Sequence, residues 1–591
     1  EFRRESMLDP IGGFNRIRDF FISYVETNFR IADRQIAAER RRLLETTNIF
    51  ATASFVEPVL RYRAHELRID QMVGVMDGPL ATLPYDVQVA FAELVLSGLF
   101  EGDDVAGKLT RIGRYAPYIH QVEMLQRGIQ PGRPGIVTSG TGSGKTESFM
   151  LPIMAALSRE AISWSKPDAG YLETPWWGSP KGKWSPQRAG ENRQAAVRAL
   201  ILYPMNALVE DQMVRLRRTL DSDEARAVMD RRFEGNRLFF GQYTSSTPVT
   251  GYEDHPRISD RDVEKKRRQR RQRELRAAMR KANQDQIDAR NHDLEEQRRA
   301  MERGVASPEL TRFIFPSLDG GEMLSRWDMQ ETPPDVLVTN ASMLGAMLSR
   351  EVEGPVFEKT RAWLRDNDDA YFYLVFDELH LIRGSAGTEV AFLIKSLIQR
   401  LGLDEPDHRH KLRVLASSAS LPMDGEPGIQ SRRYLRDLFA PFGTSAKAGE
   451  TGSEDEEFWT DCVVKGEADI PSWAGGIIAS GPFINLVETA YSDDRGFVAK
   501  LVKTNALEQA IDDVADALKV IASGDARIVG IAEAAASVLT SACRVGEGVR
   551  ATSITDLGKR LFGGVENTDL AVQGLMLARA LPESGLWKGR V

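Results

Sequence analysis

The sequence has little cysteine and no long apolar run. Its 591 residues include only Cys462 and Cys543, with no C-x-x-C pair, so we expect neither a zinc ribbon nor a disulfide framework within this chain. No apolar run approaches the roughly 18 residues that a membrane helix needs, and no signal peptide is visible. These absences predict a protein of the reducing cytoplasm with no membrane partner.

An excess of basic charge is also missing. The chain has 77 Lys and Arg residues against 85 Asp and Glu residues, which gives a net charge of −8. A passive coat on nucleic acid normally needs a basic field over the whole protein, so this composition argues against one. A basic groove on one domain remains open, and the length allows roughly three to four domains.

The pattern of apolar residues predicts a chain of several parts. Residues 1–6 precede the first methionine and are expected to be additions to a natural chain that begins at Met7. A helical accessory region is predicted at 7–110, a low-complexity linker at 443–458 and a second helical region at 459–591. Two apolar stripes at helical spacing support this division: Phe14, Ile17, Phe21, Tyr24 and Val25 near the start, and Leu507, Ala510, Ile511, Val514, Leu518 and Ile521 near the end.

Residues 111–442 have a different pattern, in which short apolar runs alternate with helical ones. The runs are continuously apolar, which is typical of strands buried on both faces of a parallel sheet. Strands that alternate with helices form βαβ units, so we predict an α/β domain with one doubly wound parallel sheet. The six predicted strands lie in GIVTSG, VRALILYP, RLFFGQY, DVLVTN, YFYLVFDE and LRVLASSAS.

Two insertions interrupt this predicted domain. Residues 163–196 are rich in Pro, Gly, Trp and charge, and are expected to form a long surface loop. Residues 261–303 are highly charged, and the stretch 264–281 holds ten basic residues against two acidic ones. Apolar positions are sparse there, so we expect a solvated helix that packs weakly, with contact to a phosphate backbone as the alternative.

A glycine-rich loop, GTGSGKT at 140–146, lies between a predicted buried strand and a predicted helix. Such a loop turns backbone N–H groups toward one point, and the positive end of the helix dipole lies behind it. Lys145 is expected at the β- and γ-phosphates of a nucleotide, and Thr146 at Mg²⁺. The general phosphate-loop pattern has glycine where this chain has Ser139. The residues expected to bind ATP here are Ser139, Gly140, Thr141, Gly142, Ser143, Gly144, Lys145 and Thr146.

An acidic pair follows another predicted buried strand, in YFYLVFDELH. Asp377 is expected to reach Mg²⁺, directly or through water, and Glu378 to polarise the attacking water. Together with Lys145, these two carboxylates are the candidate catalytic residues.

The motifs TGSGKTE, DELH and SSAS, in this order, resemble motifs I, II and III of superfamily 2 helicases of the DEAD/DEAH type. That family commonly has a small residue other than glycine at the position of Ser139. The resemblance is greatest to the YprA-like branch, and it lies in YPMNALVEDQ, VTNASML and DELHLIRGSAGTEV. This branch includes large helicases of bacterial antiphage defence systems. The chain resembles those of the Druantia kind first and those of the DISARM kind second. The resemblance covers about residues 10–440, and so implies a RecA-like ATP-binding domain.

The resemblance also implies roles for residues outside the phosphate loop. Gln121, in YIHQVEML, is similar to the glutamine that reads adenine in this family. His380, Ser418 and Ser420 would couple ATP hydrolysis to movement. The residues implied to contact the nucleic acid are Pro204, Asn206, Thr247, Thr339 and Asn340.

The function implied is that of an ATP- and Mg²⁺-dependent DNA helicase or translocase, in antiphage defence or DNA repair. Its partners would be single-stranded DNA, or a duplex with a single-stranded tail, and proteins of a defence system. The family needs a second RecA-like domain whose arginines stabilise the transition state, and residues 421–591 contain nothing similar. We therefore expect an N-terminal part that is weakly active or inactive alone. The alternatives are an RNA helicase, or an ATP-binding assembly module that does not unwind nucleic acid.

Overall fold

The structure is a computed structural model. It describes residues 9–46, 48–130, 134–140, 142–168, 175–302, 310–439, 453–471, 473, 476–490, 505–546, 548–564 and 566–584. The expected added residues 1–6, most of the expected linker and Thr141 lie outside these ranges. The chain divides into a helical unit, residues 1–61 with 468–591, and a sheet unit, residues 62–467.

Nineteen helices lie in the described residues: α1 Pro10–Asn28, α2 Arg34–Glu45, α3 Tyr85–Val95, α4 Ile119–Ile129, α5 Lys145–Ala161, α6 Asn206–Leu220, α7 Asp223–Arg232, α8 Asp262–Glu302, α9 Arg326–Glu331, α10 Ala341–Ser349, α11 Gly354–Asp366, α12 Gly384–Leu401, α13 Gly425–Phe439, α14 Ser453–Asp461, α15 Gly481–Ala490, α16 Asn505–Ala517, α17 Asp525–Ala542, α18 Ile554–Phe562 and α19 Thr568–Ala580. None of them is long and apolar enough to cross a membrane.

The sheet unit contains a parallel sheet of seven strands: β1 Gly135–Thr138, β2 Ala199–Tyr203, β3 Phe240–Tyr243, β4 Val336–Asn340, β5 Phe372–Phe376, β6 Leu412–Ser418 and β7 Val463–Lys465. Their order across the sheet is β7-β1-β6-β5-β2-β4-β3. Short strands elsewhere are Gly102–Asp104 with Arg111–Gly113 in the sheet unit, and Phe55–Val56 with Thr552–Ser553 and Arg544–Val545 with Gly548–Val549 in the helical unit. Two further strands, Arg61–Tyr62 and Ala468–Asp469, lie at the unit boundaries.

Side chains of the sheet pack on both of its faces. Along β5, Tyr373 and Val375 belong to one apolar core, with residues of α3 to α7. Phe372, Leu374 and Phe376 belong to the opposite core, with residues of α10 to α13. Burial on both faces explains why these strands are continuously apolar in sequence, and it confirms the predicted doubly wound α/β fold.

The six predicted strands are all present, but the seventh was missed. Strand β7 pairs in parallel with β1, and helix α14 precedes it within the region expected to be a linker. The sheet therefore extends beyond the boundary expected at 442, and the sheet unit ends only at residue 467. Three residues carry too little periodicity to show a strand, so only pairing with β1 defines this one.

The N-terminal region also divides differently from the expectation. Only residues up to 61 belong to the helical unit, whereas α3 packs in the core of the sheet unit. Helix α1 forms as predicted, but Ile17, Phe21 and Tyr24 of its apolar stripe are 50%, 50% and 54% exposed. The stripe therefore predicted the presence of the helix correctly but its buried face wrongly. Ile11 and Ile22 are buried instead of the stripe residues.

In the C-terminal part of the helical unit, the predicted stripe is mostly confirmed. Leu507, Ala510, Ile511 and Val514 of α16 are buried, and so is Leu518 just beyond its end. Ile521 is 98% exposed, because α16 ends at Ala517 and the chain no longer follows the helical repeat.

The two insertions pack against each other, whereas weak packing was expected. Within this charged insertion, Asp262–Glu302 form the 41-residue helix α8. Its Leu275 and Met279 join Trp176 of the other insertion and Trp327 of α9 in a small apolar cluster. The insertion that was expected to be a surface loop is therefore partly buried.

That loop is also held by a buried charge. Arg193 makes two hydrogen bonds of 2.7 Å to the Asp335 carboxylate, and Arg198 adds one of 2.9 Å. These arginines and Arg188 hold the pKa of Asp335 well below its usual range, despite its burial. A buried carboxylate needs such pairing to remain charged, so the network fixes the loop at the amino end of β4.

Candidate active site

The phosphate loop joins β1 to α5, and two of its glycines have left-handed backbone angles. Gly142 has a φ of 74° and Gly144 a φ of 72°. A Cβ at Gly144 would lie 2.1 Å from Gln121 Nε2, so glycine is required there for space as well as for conformation. The hydroxyls of Ser139 and Ser143 are 2.5 Å apart and close the loop across its base. The small residue at position 139 therefore has a structural role in this loop.

Three side chains outside the loop hold it in place. The Gly140 N–H donates to the Tyr62 hydroxyl at 2.7 Å, and His120 Nε2 donates to the Ser143 carbonyl at 2.9 Å. Burial lowers the pKa of His120, which favours the neutral ring with its hydrogen on Nε2. Gln121 Nε2 donates to the Gly144 carbonyl at 3.1 Å. Tyr62 and His120 were missed by the sequence analysis.

Gln121 contacts both its own helix start and the phosphate loop. It is buried, and its Oε1 accepts from the Tyr118 N–H at 2.8 Å while its Nε2 contacts the loop. Both ends of the amide are thus bonded to the protein. In this conformation Gln121 positions the phosphate loop, and its expected contact with adenine stays a prediction.

The acidic pair follows β5 at the same edge of the sheet. Glu378 has a φ of 52° and a ψ of 48°, a left-handed conformation that costs a non-glycine residue about 1–3 kcal/mol. Lys145 Nζ lies 3.6 Å from Glu378 Oε1 and 3.4 Å from the Ser139 carbonyl oxygen. The fold therefore brings the loop lysine and the acidic pair together, although 232 positions separate Lys145 from Asp377.

A hydroxyl that contacts the acidic pair belongs to Ser417, one residue before the predicted Ser418. Ser417 Oγ donates to Asp377 Oδ1, and the Glu378 N–H donates to Ser417 Oγ at 3.3 Å. Ser418 is buried, and its Oγ accepts from the Ser420 N–H at 3.3 Å. Ser417 and Ser418 are successive residues of β6, so their side chains point to opposite faces of the sheet and Ser417 is the one on the side of Asp377.

His380 lies beside both motifs. Its Nδ1 is 3.2 Å from Glu378 Oε2 and 3.4 Å from the Ala419 backbone nitrogen. The ring therefore connects the acidic pair to the segment that follows β6. The coupling role implied for His380 stays a prediction.

The residues expected to contact nucleic acid fall into two groups. Asn206 and Asn340 follow the adjacent strands β2 and β4, and Asn340 Nδ2 donates to Asn206 Oδ1 at 2.6 Å. Asn206 is exposed, and Pro204 and Asn340 are half-buried. These three residues form a polar surface at the carboxyl edge of the sheet.

The two threonines of that set are buried instead. Thr339 is 0% exposed, and its hydroxyl donates to the Tyr243 carbonyl at 2.6 Å. Thr247 is 4% exposed, and its hydroxyl donates to the Gln242 carbonyl at 2.8 Å. Both hydroxyls fix the end of β3, so in this conformation neither can reach a nucleic acid.

Two comparisons with known sequences bear on this site. Residues 118–238 match the sequence model of the DEAD/DEAH box helicase family. The chain is also 30% identical over 444 residues to the Druantia protein DruE of Escherichia coli (strain UMEA 4076-1), and this alignment covers 72% of the chain and 21% of that protein. Residues 118–238 are therefore similar to the DEAD/DEAH box helicase family. It spans about a fifth of the length of the curated relative it matches.

Solved structures similar to the chain include the DUF1998 helicase MrfA bound to DNA. The TM-score is 0.32 at 13% identity, with 78% of this chain and 40% of that chain covered. The same helicase bound to DNA and AMPPNP gives a TM-score of 0.29 at 14% identity, with 69% of this chain and 33% of that chain covered.

The sheet unit has the groups that a nucleotide and a divalent cation require. The glycines of the loop leave room for a phosphate to approach the backbone, and Lys145 supplies a cation. Thr146 and Asp377 are oxygen ligands of the kind Mg²⁺ prefers. Among the described residues no cluster of three or more His, Cys, Asp or Glu could hold a metal ion. In general, Mg²⁺ keeps several waters and shares substrate phosphates with one or two carboxylates.

Proposed function

We propose that this chain is the N-terminal part of an ATP-dependent DNA helicase or translocase of antiphage defence or DNA repair. The observation that carries the proposal is the contact of Lys145 with Glu378, at 3.6 Å. It joins a phosphate loop and an acidic pair at the carboxyl edge of a parallel sheet, where doubly wound folds bind nucleotides.

Each residue at this edge has a role that follows from its chemistry. Lys145 pairs with the Glu378 carboxylate here, and its charge suits the β- and γ-phosphates of ATP. Thr146 and Asp377 would hold Mg²⁺, which supplies charge neutralisation to the phosphates. Ser417 fixes the orientation of Asp377, and Glu378 is left to orient the attacking water.

The case for a nucleic-acid partner is the position of Asn206 and Asn340. They lie at the same edge as the acidic pair, at the ends of β2 and β4, and β2 is the direct neighbour of β5. A nucleic acid bound there would therefore respond to the state of the nucleotide, because β2 and β5 are adjacent strands of one sheet. The motif resemblance favours DNA over RNA.

The proposal is tested by ATP turnover of the full-length protein with single-stranded DNA, with RNA and with neither. We expect stimulation by DNA, and a fall of at least about 100-fold in Lys145→Ala and Glu378→Gln, because each removes charge or water placement needed only in the transition state. Glu405→Gln is the matched control, since Glu405 pairs with Arg361 on the surface and should leave turnover unchanged.

Other outcomes would favour the alternatives. Stimulation by RNA alone would support an RNA helicase. ATP binding without stimulated turnover in the full-length protein would support an assembly module, and unchanged turnover in both variants would refute the proposed site.

A further inference from the structure

Helix α8 has two faces that differ in what they contact. One face packs against the sheet unit and consists of Glu264, Arg268, Arg271, Leu275 and Met279, which recur every three or four residues. An α-helix advances 100° per residue, so these positions share one side of it. The packed face therefore fixes which residues of α8 point to solvent.

The arginines on or beside the packed face are bonded to the protein. Arg268 Nε donates to Glu253 Oε1 at 2.7 Å, and Arg271 Nη1 donates to the Thr250 carbonyl at 2.9 Å. Arg280 Nε donates to the Trp177 carbonyl at 2.9 Å. The basic character of these residues is explained by the fold.

The opposite face carries basic residues for which the described part of the chain shows no bond outside α8. Lys266, Arg270, Arg273 and Lys281 are exposed and recur at helical spacing. Among the described residues, Arg270 bonds to Glu274 of its own helix in a pair that is 78% and 58% exposed, and such a pair adds little stability. We call these four residues the basic stripe. It extends for about 22 Å along the helix, at 1.5 Å per residue.

The basic stripe lies at the end of α8 that is nearest the carboxyl edge of the sheet. Its half of the helix bonds to residues 250–254, which follow β3 just beyond its carboxyl end. The far half of α8 bonds to Asp223 at the start of α7. Helix α6 runs back from the carboxyl edge of the sheet and ends just before α7, so Asp223 lies toward the amino edge. Strand β3 is the outer strand next to β4, so the basic stripe continues the edge that carries Asn206 and Asn340.

The charge of α8 changes sign along its length. Residues 264–281 have ten basic and two acidic residues, and residues 282–302 have three Lys or Arg residues and six acidic ones. A helix made only for solubility has no need of this separation. The positive half is the half at the carboxyl edge.

We infer that the basic stripe binds the phosphate backbone of duplex DNA. This duplex extends past β3 from the single-stranded DNA held at Asn206 and Asn340. This inference rests on the proposed function. A row of exposed cations gains free energy on phosphates by releasing counterions, and the gain does not depend on base sequence. The stripe therefore adds affinity for a duplex next to the single strand.

The test is the salt dependence of binding to a duplex with a single-stranded tail, compared with the tail alone. Replacing the four residues with Gln keeps helix propensity and removes four charges. Each lost phosphate contact lowers the slope of log affinity against log salt by about 0.9, so we expect the slope for the tailed duplex to fall by about 3 to 4. Affinity for the tailed duplex should fall at least tenfold at low salt, and affinity for the tail alone should change little.

A pair of double variants provides the matched control. Lys266→Gln with Lys281→Gln should lower the slope by about 2, whereas Arg298→Gln with Arg299→Gln on the acidic half should not change it. Equal effects of the two pairs, or an unchanged slope in the fourfold variant, would overturn the inference and leave the proposed function intact. An unchanged slope together with lost binding to an acidic protein would assign the stripe to such a partner. If the parent protein binds no nucleic acid, the proposed function itself fails.

Discussion

The phosphate loop of this protein depends on residues that do not touch phosphate. Tyr62, His120 and Gln121 bond to Gly140, Ser143 and Gly144 respectively, at 2.7, 2.9 and 3.1 Å. A glycine-rich loop loses more conformational entropy on ordering than other sequences, so bonds that order it in advance favour nucleotide binding.

Tyr62→Phe removes one of these bonds and keeps the ring. Loss of a neutral hydrogen bond costs about 0.5–1.5 kcal/mol, so we expect nucleotide affinity to fall about 2- to 10-fold. The measurement is the dissociation constant of a fluorescent ATP analogue. Tyr115→Phe removes a hydroxyl from an exposed ring and is the control. Unchanged or tighter binding in Tyr62→Phe would contradict the role of Tyr62 in ordering the loop.

Among single residues, the sequence predicted those whose type is set by the binding of phosphate, Mg²⁺ or water. Lys145, Asp377 and Glu378 stand in recognisable motifs because phosphate, Mg²⁺ and water each demand one kind of side chain. Tyr62 is 78 residues from its partner Gly140, and any donor or acceptor of suitable reach could replace it. Ser417 was missed because the adjacent Ser418 and Ser420 match the motif equally well in sequence.

Among the elements, the short helix α9 contains a carboxylate that has no cationic partner in the part of the chain that the structure describes. Asp328 Oδ2 accepts from Ser325 Oγ at 2.5 Å, and its Oδ1 accepts from the Gln187 N–H at 3.1 Å. Burial raises the pKa of Asp328 to about 6, and these hydrogen bonds only partly oppose the shift. The folded protein therefore binds this proton more tightly than the unfolded chain does.

A proton held more tightly in the folded state makes stability fall as pH rises. The contribution of Asp328 is complete below its unfolded pKa near 4 and is lost as pH rises through about 6. Asp328→Asn cannot titrate, so its stability relative to the parent should increase between about pH 5 and about pH 8. Urea denaturation at both pH values measures this. The exposed Asp366→Asn should show no such gain, and a pH-independent difference for Asp328→Asn would contradict the shift.

Elements differed in how well the sequence predicted them. Strands β1 to β6 were evident because burial on both faces forces a continuous apolar run. Strand β7 has three residues, and α1 has an apolar stripe that the fold leaves half exposed. In both cases the deciding contact is with a part of the chain distant in sequence.

For the whole molecule, the main question is what completes the nucleotide site. The chain spans 21% of the length of its curated relative, and residues 421–591 contain no arginine motif of a second RecA-like domain. We propose that a second domain supplies the arginines that stabilise the transition state.

We expect DNA-stimulated turnover by the 591-residue chain to be at least about 1,000-fold slower than that of the protein encoded by the whole gene. Nucleotide affinity should differ much less, because the loop and the acidic pair are complete. The comparison needs turnover and nucleotide binding measured on both proteins. Comparable turnover would show that this chain already contains every group the reaction requires.

The sequence by itself determined the α/β class, six strands and the motif residues of the nucleotide site. Burial of a strand requires a short run of apolar residues, and binding of phosphate or Mg²⁺ requires particular side chains, so each leaves a pattern within a short stretch of sequence. Only the tertiary structure decided the seventh strand, the side chains that hold the phosphate loop, the burial of Thr247 and Thr339 and the free face of α8. These depend on which distant segments pack together, and many side chains satisfy such contacts equally well.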